Sequence, residues 1–157
     1  GLGDVYKRQA VDVFPVEPKK TGDPFETALA DEDNMILTPH IGGSTLEAQE
    51  SIGRFVSQRL EDYWEKGSTS LSVNMPQINL SENRGVARIA HLHSNLPGVL
   101  ARVNHVLGEE NINVSFQSLA TEGELGYVVT DVAQRPSRET LEALRSIEGT
   151  IRMRVIS

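Results

Sequence analysis

The chain has 157 residues, with 22 acidic and 15 basic side chains, a net charge of −7 and no cysteine. This balance argues against a general nucleic-acid binder, whose affinity comes from clustered Lys and Arg. The missing cysteine removes disulfides, thiolate metal sites and thiol catalysis together. No apolar run approaches a membrane span and no signal-peptide pattern opens the chain, so a soluble, cytoplasmic protein without nucleic-acid or membrane partners is expected.

Residue 1 is Gly rather than Met, and residues 1–9 carry no amphipathic period. They are expected to be foreign or disordered, and the chain a fragment. Ala10 to Phe14 is short and apolar, which predicts a strand in a covered sheet. A proline-bearing loop follows from Pro15 through Phe25. Met35 to Thr38 predicts a second strand, stopped by Pro39, and His40-Ile41-Gly42-Gly43-Ser44 reads as a tight turn. Ser44-Thr45-Leu46-Glu47 has the form of a capping box. Behind it Leu46, Ile52, Val56, Leu60 and Tyr63 recur near helical spacing, predicting a helix from Thr45 to Lys66 closed by Gly67. Residues 67–84, with Ser, Asn and Pro interleaved, read as a linker, interrupted by a short strand at Leu71-Ser72-Val73.

Residues 85–157 read as one unit. Arg88 to His93 predicts a strand, and Pro97 to Asn111 a helix whose stripe is Val99, Leu100, Val103 and Leu107. Ile112 to Leu119 alternates as a half-buried strand does, Thr121 to Glu124 turns, and Tyr127 to Val132 returns. Ser137 caps a helix bearing Leu141, Leu144 and Ile147, which Gly149 ends, and Thr150 to Ile156 is a final strand. The order βαββαβ predicts a ferredoxin-like α+β sandwich.

The chemistry-bearing pair is Glu17 and His40, each in a loop just past a short strand, where α/β sheets bind ligands. A carboxylate orients an imidazole and favours its charged form. Such a His suits removal of a hydroxyl proton while a hydride leaves. Seen without context, a His and a Glu in polar loops are more often plain surface residues.

The motifs Asp12-Val13-Phe14-Pro15-Val16-Glu17-Pro18 and Thr38-Pro39-His40-Ile41-Gly42-Gly43-Ser44-Thr45 change that balance. Together they resemble the last signature of the D-isomer-specific 2-hydroxyacid dehydrogenase family. With the tail, the likeness extends over residues 10–157 and is closest to the D-3-phosphoglycerate dehydrogenase branch. The resemblance implies His40 as proton acceptor or donor, Glu17 as its hydrogen-bonded partner, and NAD as cofactor. It also implies that Asp12, His40, Ile41, Gly42 and Gly43 lie beside that cofactor. Residues 10–66 would be the end of a Rossmann-type nucleotide-binding domain with its return helix. The family's Gly-x-Gly-x-x-Gly turn and its substrate-gripping Arg do not occur in this chain. The fragment alone is therefore expected to be inactive, the parent oxidising D-3-phosphoglycerate to 3-phosphohydroxypyruvate in L-serine biosynthesis.

His91-Leu92-His93-Ser94-Asn95-Leu96-Pro97-Gly98-Val99-Leu100, a strand running into Pro-Gly at a helix start, resembles the amino-acid-sensing ACT domain. A helix N-terminus offers free N–H groups to a carboxylate. The resemblance implies feedback inhibition by serine bound between two such domains, hence a homo-oligomer, with His93, Asn95 and Asn113 as ligands and Gly98 admitting the effector. Leu96 stands where the family often has Arg.

Other readings stay open. His91 and His93 share a strand face and could hold a metal, though no third ligand is evident. His105 reads as a solvated surface residue, Asn113 as a possible turn residue, and Gly85 as a hinge or ordinary linker. For the whole, the alternatives are another dehydrogenase of the superfamily, reducing 2-oxoglutarate, hydroxypyruvate or glyoxylate, or a stand-alone amino-acid-binding module.

Overall fold

A computed structural model describes residues 9–20 and 22–156. The expected foreign segment lies almost wholly outside them. The chain divides into two compact units at Val56/Ser57, inside a helix and ten residues before the boundary expected from the sequence.

In the first unit, β1 (Gln9–Val11) and β2 (Met35–Leu37) pair in parallel, Ala10 opposite Ile36. The strand expected to reach Phe14 ends at Val11, because the Asp12 side chain turns to the loop after β2. Phe14 is buried and meets Phe25 edge-on at 4.7 Å. Helix α1 covers Leu46–Glu61 and continues as a π-helical turn over Asp62–Lys66. Its cap is Thr45, whose hydroxyl accepts from Ala48 N–H at 3.1 Å, so the capping position falls one residue after the Ser44 expected. None of the described residues of α1 is buried, and Leu46, Ile52, Val56 and Leu60 of its apolar stripe are exposed.

In the second unit, β3 (Ala87–Ser94), β4 (Val114–Glu122), β5 (Leu125–Val132) and β6 (Thr150–Ile156) form an antiparallel sheet in the order β4-β5-β3-β6. Helices α2 (Val99–Glu109) and α3 (Arg138–Arg145) lie between β3 and β4 and between β5 and β6. This is the expected ferredoxin-like βαββαβ sandwich. Odd-numbered residues of β3 face the core made by Val99, Val103, Leu107, Val132 and Leu144. Helix α2 begins at Val99, two residues later than expected, because Gly98 holds φ +88° and cannot continue a right-handed turn. Ser137 caps α3 as expected, accepting from Thr140 N–H at 3.1 Å.

The stretch 67–84 is not a free linker. Ile78 and Leu80 are buried against Ala90, Tyr127 and Val129 on the sheet face opposite the helices. No strand forms at residues 71–73; Leu71 takes φ +65° and Val73 is wholly exposed. Three strands also grip the end of the π-helical turn. Arg154 of β6 donates to the Tyr63 and Trp64 carbonyls, Arg88 of β3 to Lys66 O, and Tyr127 Oη of β5 to Gly67 O at 2.7 Å. Gly85 is a packing residue rather than a hinge: a Cβ there would sit 2.3 Å from the Val132 carbonyl oxygen.

Candidate functional site

Parallel strands β1 and β2 end side by side, and the residues just past them converge. Asp12 organises the turn. Its Oδ1 accepts from Thr38 Oγ1 at 2.6 Å and from Ile41 N–H at 2.9 Å, and its Oδ2 from Gly42 N–H at 2.8 Å. These donors, Thr38 foremost, hold the Asp12 carboxyl below its usual range. Gly42 is needed for this approach, since a Cβ would lie 2.9 Å from Asp12 Oδ2. Within the turn His40 adopts φ +52°, a conformation L-residues seldom take.

Glu17 fixes His40 from the other side. Its Oε1 accepts from Phe14 N–H at 3.0 Å and its Oε2 lies 2.8 Å from His40 Nδ1. The hydrogen bond to Glu17 raises the His40 pKa above its ordinary value, and the same bond lowers that of Glu17. With Nδ1 engaged, Nε2 is left to exchange a proton with a ligand. Half of the His40 side-chain surface is open to solvent. Beside the pair runs a cleft of about 470 Å³ lined by Phe14, Glu17, Lys20, Phe25 and Pro39. The structure thus brings Asp12, Glu17, His40, Ile41, Gly42 and Gly43 to one strand end. Thr38, the strongest donor to Asp12, was not among the expected site residues; its signal was a hydroxyl at the last position before Pro39.

As to fit with a nicotinamide cofactor, the turn presents the exposed Ile41-Gly42 backbone, while the place of a Gly42 side chain is taken by Asp12 Oδ2. Only this edge of such a site lies in the chain, because the glycine-rich phosphate turn is missing from the sequence.

The second candidate site is at the far end of β3. His91 and His93 are buried under the helices, their rings 5.5 Å apart and edge-on. His91 Nε2 lies 2.9 Å from Thr150 Oγ1, and burial together with His93 pushes its pKa down to about 4. His93 Nδ1 lies 2.8 Å from the Ser94 carbonyl. Among the described residues no group of three or more His, Cys, Asp or Glu is placed to hold a metal. Asn95 is exposed, donating through Nδ2 to Gly123 O at 3.1 Å and through its backbone N–H to Glu124 O at 2.8 Å. Gly98 has open space where a Cβ would be.

Asn113 is not with them. It immediately precedes Val114, which pairs with Val132 and through it with Ala87, at the opposite end of the sheet from His93. Six residues of β3 separate those levels, about 20 Å at strand rise. Within one copy, His93 and Asn95 adjoin and Asn113 does not. His105 is exposed on α2.

Comparison with known proteins gives a consistent result. Residues 89–152 match the AHAS small subunit-like ACT domain family. The chain is 47% identical over 147 residues to D-3-phosphoglycerate dehydrogenase of Haemophilus influenzae, covering 94% of this chain and 36% of that protein. It is 44% identical over 149 residues to the Escherichia coli protein of the same name, with the same coverage. The Dictyostelium discoideum protein of that name is 42% identical over 147 residues, again at 94% and 36%. The chain therefore spans about a third of the length of these relatives, and the resemblance read from its motifs is borne out.

Proposed function

We propose that the chain, similar over nearly all its length to D-3-phosphoglycerate dehydrogenases, carries the acid–base pair and the effector-sensing domain of such an enzyme. The observation that carries this reading is the 2.8 Å contact between His40 Nδ1 and Glu17 Oε2 at the ends of two parallel strands. NAD, when bound, would supply the hydride chemistry. His40 Nε2 takes the proton of the substrate hydroxyl in the oxidative direction and returns it in the reverse. Glu17 holds the ring and favours the imidazolium that results. Asp12 keeps the Ile41-Gly42 backbone in place against the cofactor. The first unit is on this reading the last part of a Rossmann-type domain. In a protein of the relatives' full length, His40→Asn is expected to lower kcat by about 10²–10⁴-fold.

The second unit senses L-serine as a homodimer, in the cytoplasm of the source cell. Strand β4 is an outer strand of the sheet, with one row of N–H and C=O groups free to pair. Antiparallel pairing of β4 with its own copy sets the start of one strand against the end of the other. The partner subunit's Asn113 then comes to Glu122 and the Gly123 hairpin, beside Asn95 and His93. The separation of Asn113 from the other two within one copy is what such a shared site requires. Titration of L-serine into the 157-residue chain, at concentrations where it is dimeric, tests this by calorimetry. Saturable binding lost in both His93→Ala and Asn113→Ala is the expected result. No binding to a verified dimer would refute the sensor reading.

A further inference from the structure

We infer that His93 meets the effector as a hydrogen-bond acceptor, through Nε2, and that Gly126 is the residue that positions its ring. The inference rests on reading this sheet end as an effector site. His93 Nδ1 lies 2.8 Å from the Ser94 carbonyl oxygen, which can only accept. Nδ1 therefore carries a hydrogen, and in the neutral ring Nε2 presents a lone pair. That nitrogen is buried and has no hydrogen-bond partner among the described residues. Buried polar atoms are nearly always satisfied, so an unmatched acceptor marks a place where a donor belongs.

The ring is held over one strand position. His93 pairs in register with Gly126 of β5. A Cβ on Gly126 would fall 2.2 Å from His93 Cε1, 2.7 Å from Nε2 and 2.8 Å from Nδ1. The imidazole thus occupies the space of the side chain Gly126 lacks. Gly126 takes no left-handed angle, so glycine is required there by contact and not by backbone conformation. Its other neighbour is Thr121 on the outer strand β4, so the ring covers the strand lying next to the free sheet edge. His91, 1% exposed, meets the ring edge-on with the centroids 5.5 Å apart.

This geometry assigns polarity to the ligand. The group that reaches Nε2 must be a donor, the hydroxyl or the ammonium of a small amino acid. A carboxylate oxygen would set lone pair against lone pair, so the carboxylate is left to amide N–H groups.

The test uses the full chain, with long-range proton–nitrogen NMR of the imidazoles before and after saturation with L-serine. The expected free state is the neutral Nδ1–H tautomer of His93, and on saturation the Nε2 resonance moves as that of a nitrogen accepting a hydrogen bond. Gly126→Ala is expected to displace the ring, erase the Nδ1–H signature and weaken L-serine binding by about tenfold or more. Gly108→Ala, on an open helix position, should leave both unchanged. If Gly126→Ala fails to fold, the wild-type tautomer still decides. An Nε2–H tautomer, or an imidazolium in the bound state, would overturn the proposal while leaving the sensor reading intact. Absence of serine binding to the wild-type dimer would remove both.

Discussion

Replacing Asp131 with Asn is expected to destabilise the C-terminal unit by about 3–5 kcal/mol. Asp131 and Arg88 face each other across β5 and β3 with side-chain exposures of 0% and 1%. The guanidinium gives two bonds to the carboxylate, Nε to Oδ1 at 2.6 Å and Nη2 to Oδ2 at 2.8 Å. Its other N–H groups go to the Lys66, Ser81 and Glu82 carbonyls, and Asp131 Oδ2 also accepts from Arg84 N–H at 2.8 Å. Every donor of a buried cation is thus engaged, and its counter-charge is a single carboxylate. Asn keeps the shape but removes that charge and turns an NH₂ toward donors. Urea unfolding of the whole chain, followed by tyrosine fluorescence and far-UV circular dichroism, measures the loss. For a unit of this size, it should lower the thermal midpoint by more than about 10 °C. The double change Arg88→Met with Asp131→Leu removes the uncompensated charge but strands three carbonyls and the Arg84 N–H, at about 1 kcal/mol each. It should therefore be no less stable than the single variant, yet below the wild type. A loss under about 1 kcal/mol for Asp131→Asn would show that the pair is not what ties residues 66–84 to the sheet.

Three further outcomes follow from neighbouring geometry. The folded pKa of His91 is about 4 against 6.5 for the free side chain, so its contribution is whole above pH 6.5 and fades as pH falls toward 4, by roughly 2 kcal/mol after allowance for solvent screening. His91→Gln should flatten the stability profile over that window, and an unchanged slope would exclude His91 as its source. Glu17→Gln should return the His40 pKa toward its ordinary value, read by proton NMR titration; because Glu17 raises it, the pair's contribution is present below pH 6.5 and lost as pH rises through the folded value. No movement of that titration would mean that the contact is not formed in solution. Gly85→Ala, whose Cβ would overlap the Val132 carbonyl, should cost about 2 kcal/mol or more, whereas Gly108→Ala in α2 should be neutral or stabilising; equal effects would contradict the packing assigned to Gly85.

The second unit was legible because its apolar residues keep the periods of their elements. Val99, Val103 and Leu107 mark one face of α2, and β5 and β6 begin within two residues of the positions expected. Boundaries moved where a side chain or backbone angle overruled the pattern. The capping group passed from Ser44 to Thr45, and Gly98 kept Pro97 out of α2. The buried role of residues 67–84 was hidden because Ile78 and Leu80 lie among Pro, Gln, Asn and Ser, and only the bare face of the sheet explains why they fold back. The family resemblance of the two motifs implied that Glu17 and His40 would meet, and they do, at 2.8 Å. It gave no sign that both Asp12 oxygens are taken by Thr38, Ile41 and Gly42, since that depends on where β1 stops.

The two candidate sites use one residue type in opposite ways, and the partner at Nδ1 makes the difference. His40 is anchored by a carboxylate, which orients the ring and supplies the negative charge that makes a second proton welcome. That is what the proposed proton exchange with a substrate needs, and the half-exposed His40 side chain allows it. His93 is anchored by a backbone carbonyl, which fixes the tautomer but brings no full charge. Its Nε2 is enclosed and has no hydrogen-bond partner among the described residues. On the proposed reading, a ring so placed serves recognition rather than transfer, offering a lone pair to a donor of the effector. Exchanging the anchors in thought makes the point. A carboxylate in place of the Ser94 carbonyl would favour an imidazolium that binds the effector's carboxylate and reverses its orientation. On the proposed reading, a carbonyl in place of Glu17 would leave His40 a weaker base where the substrate hydroxyl loses its proton.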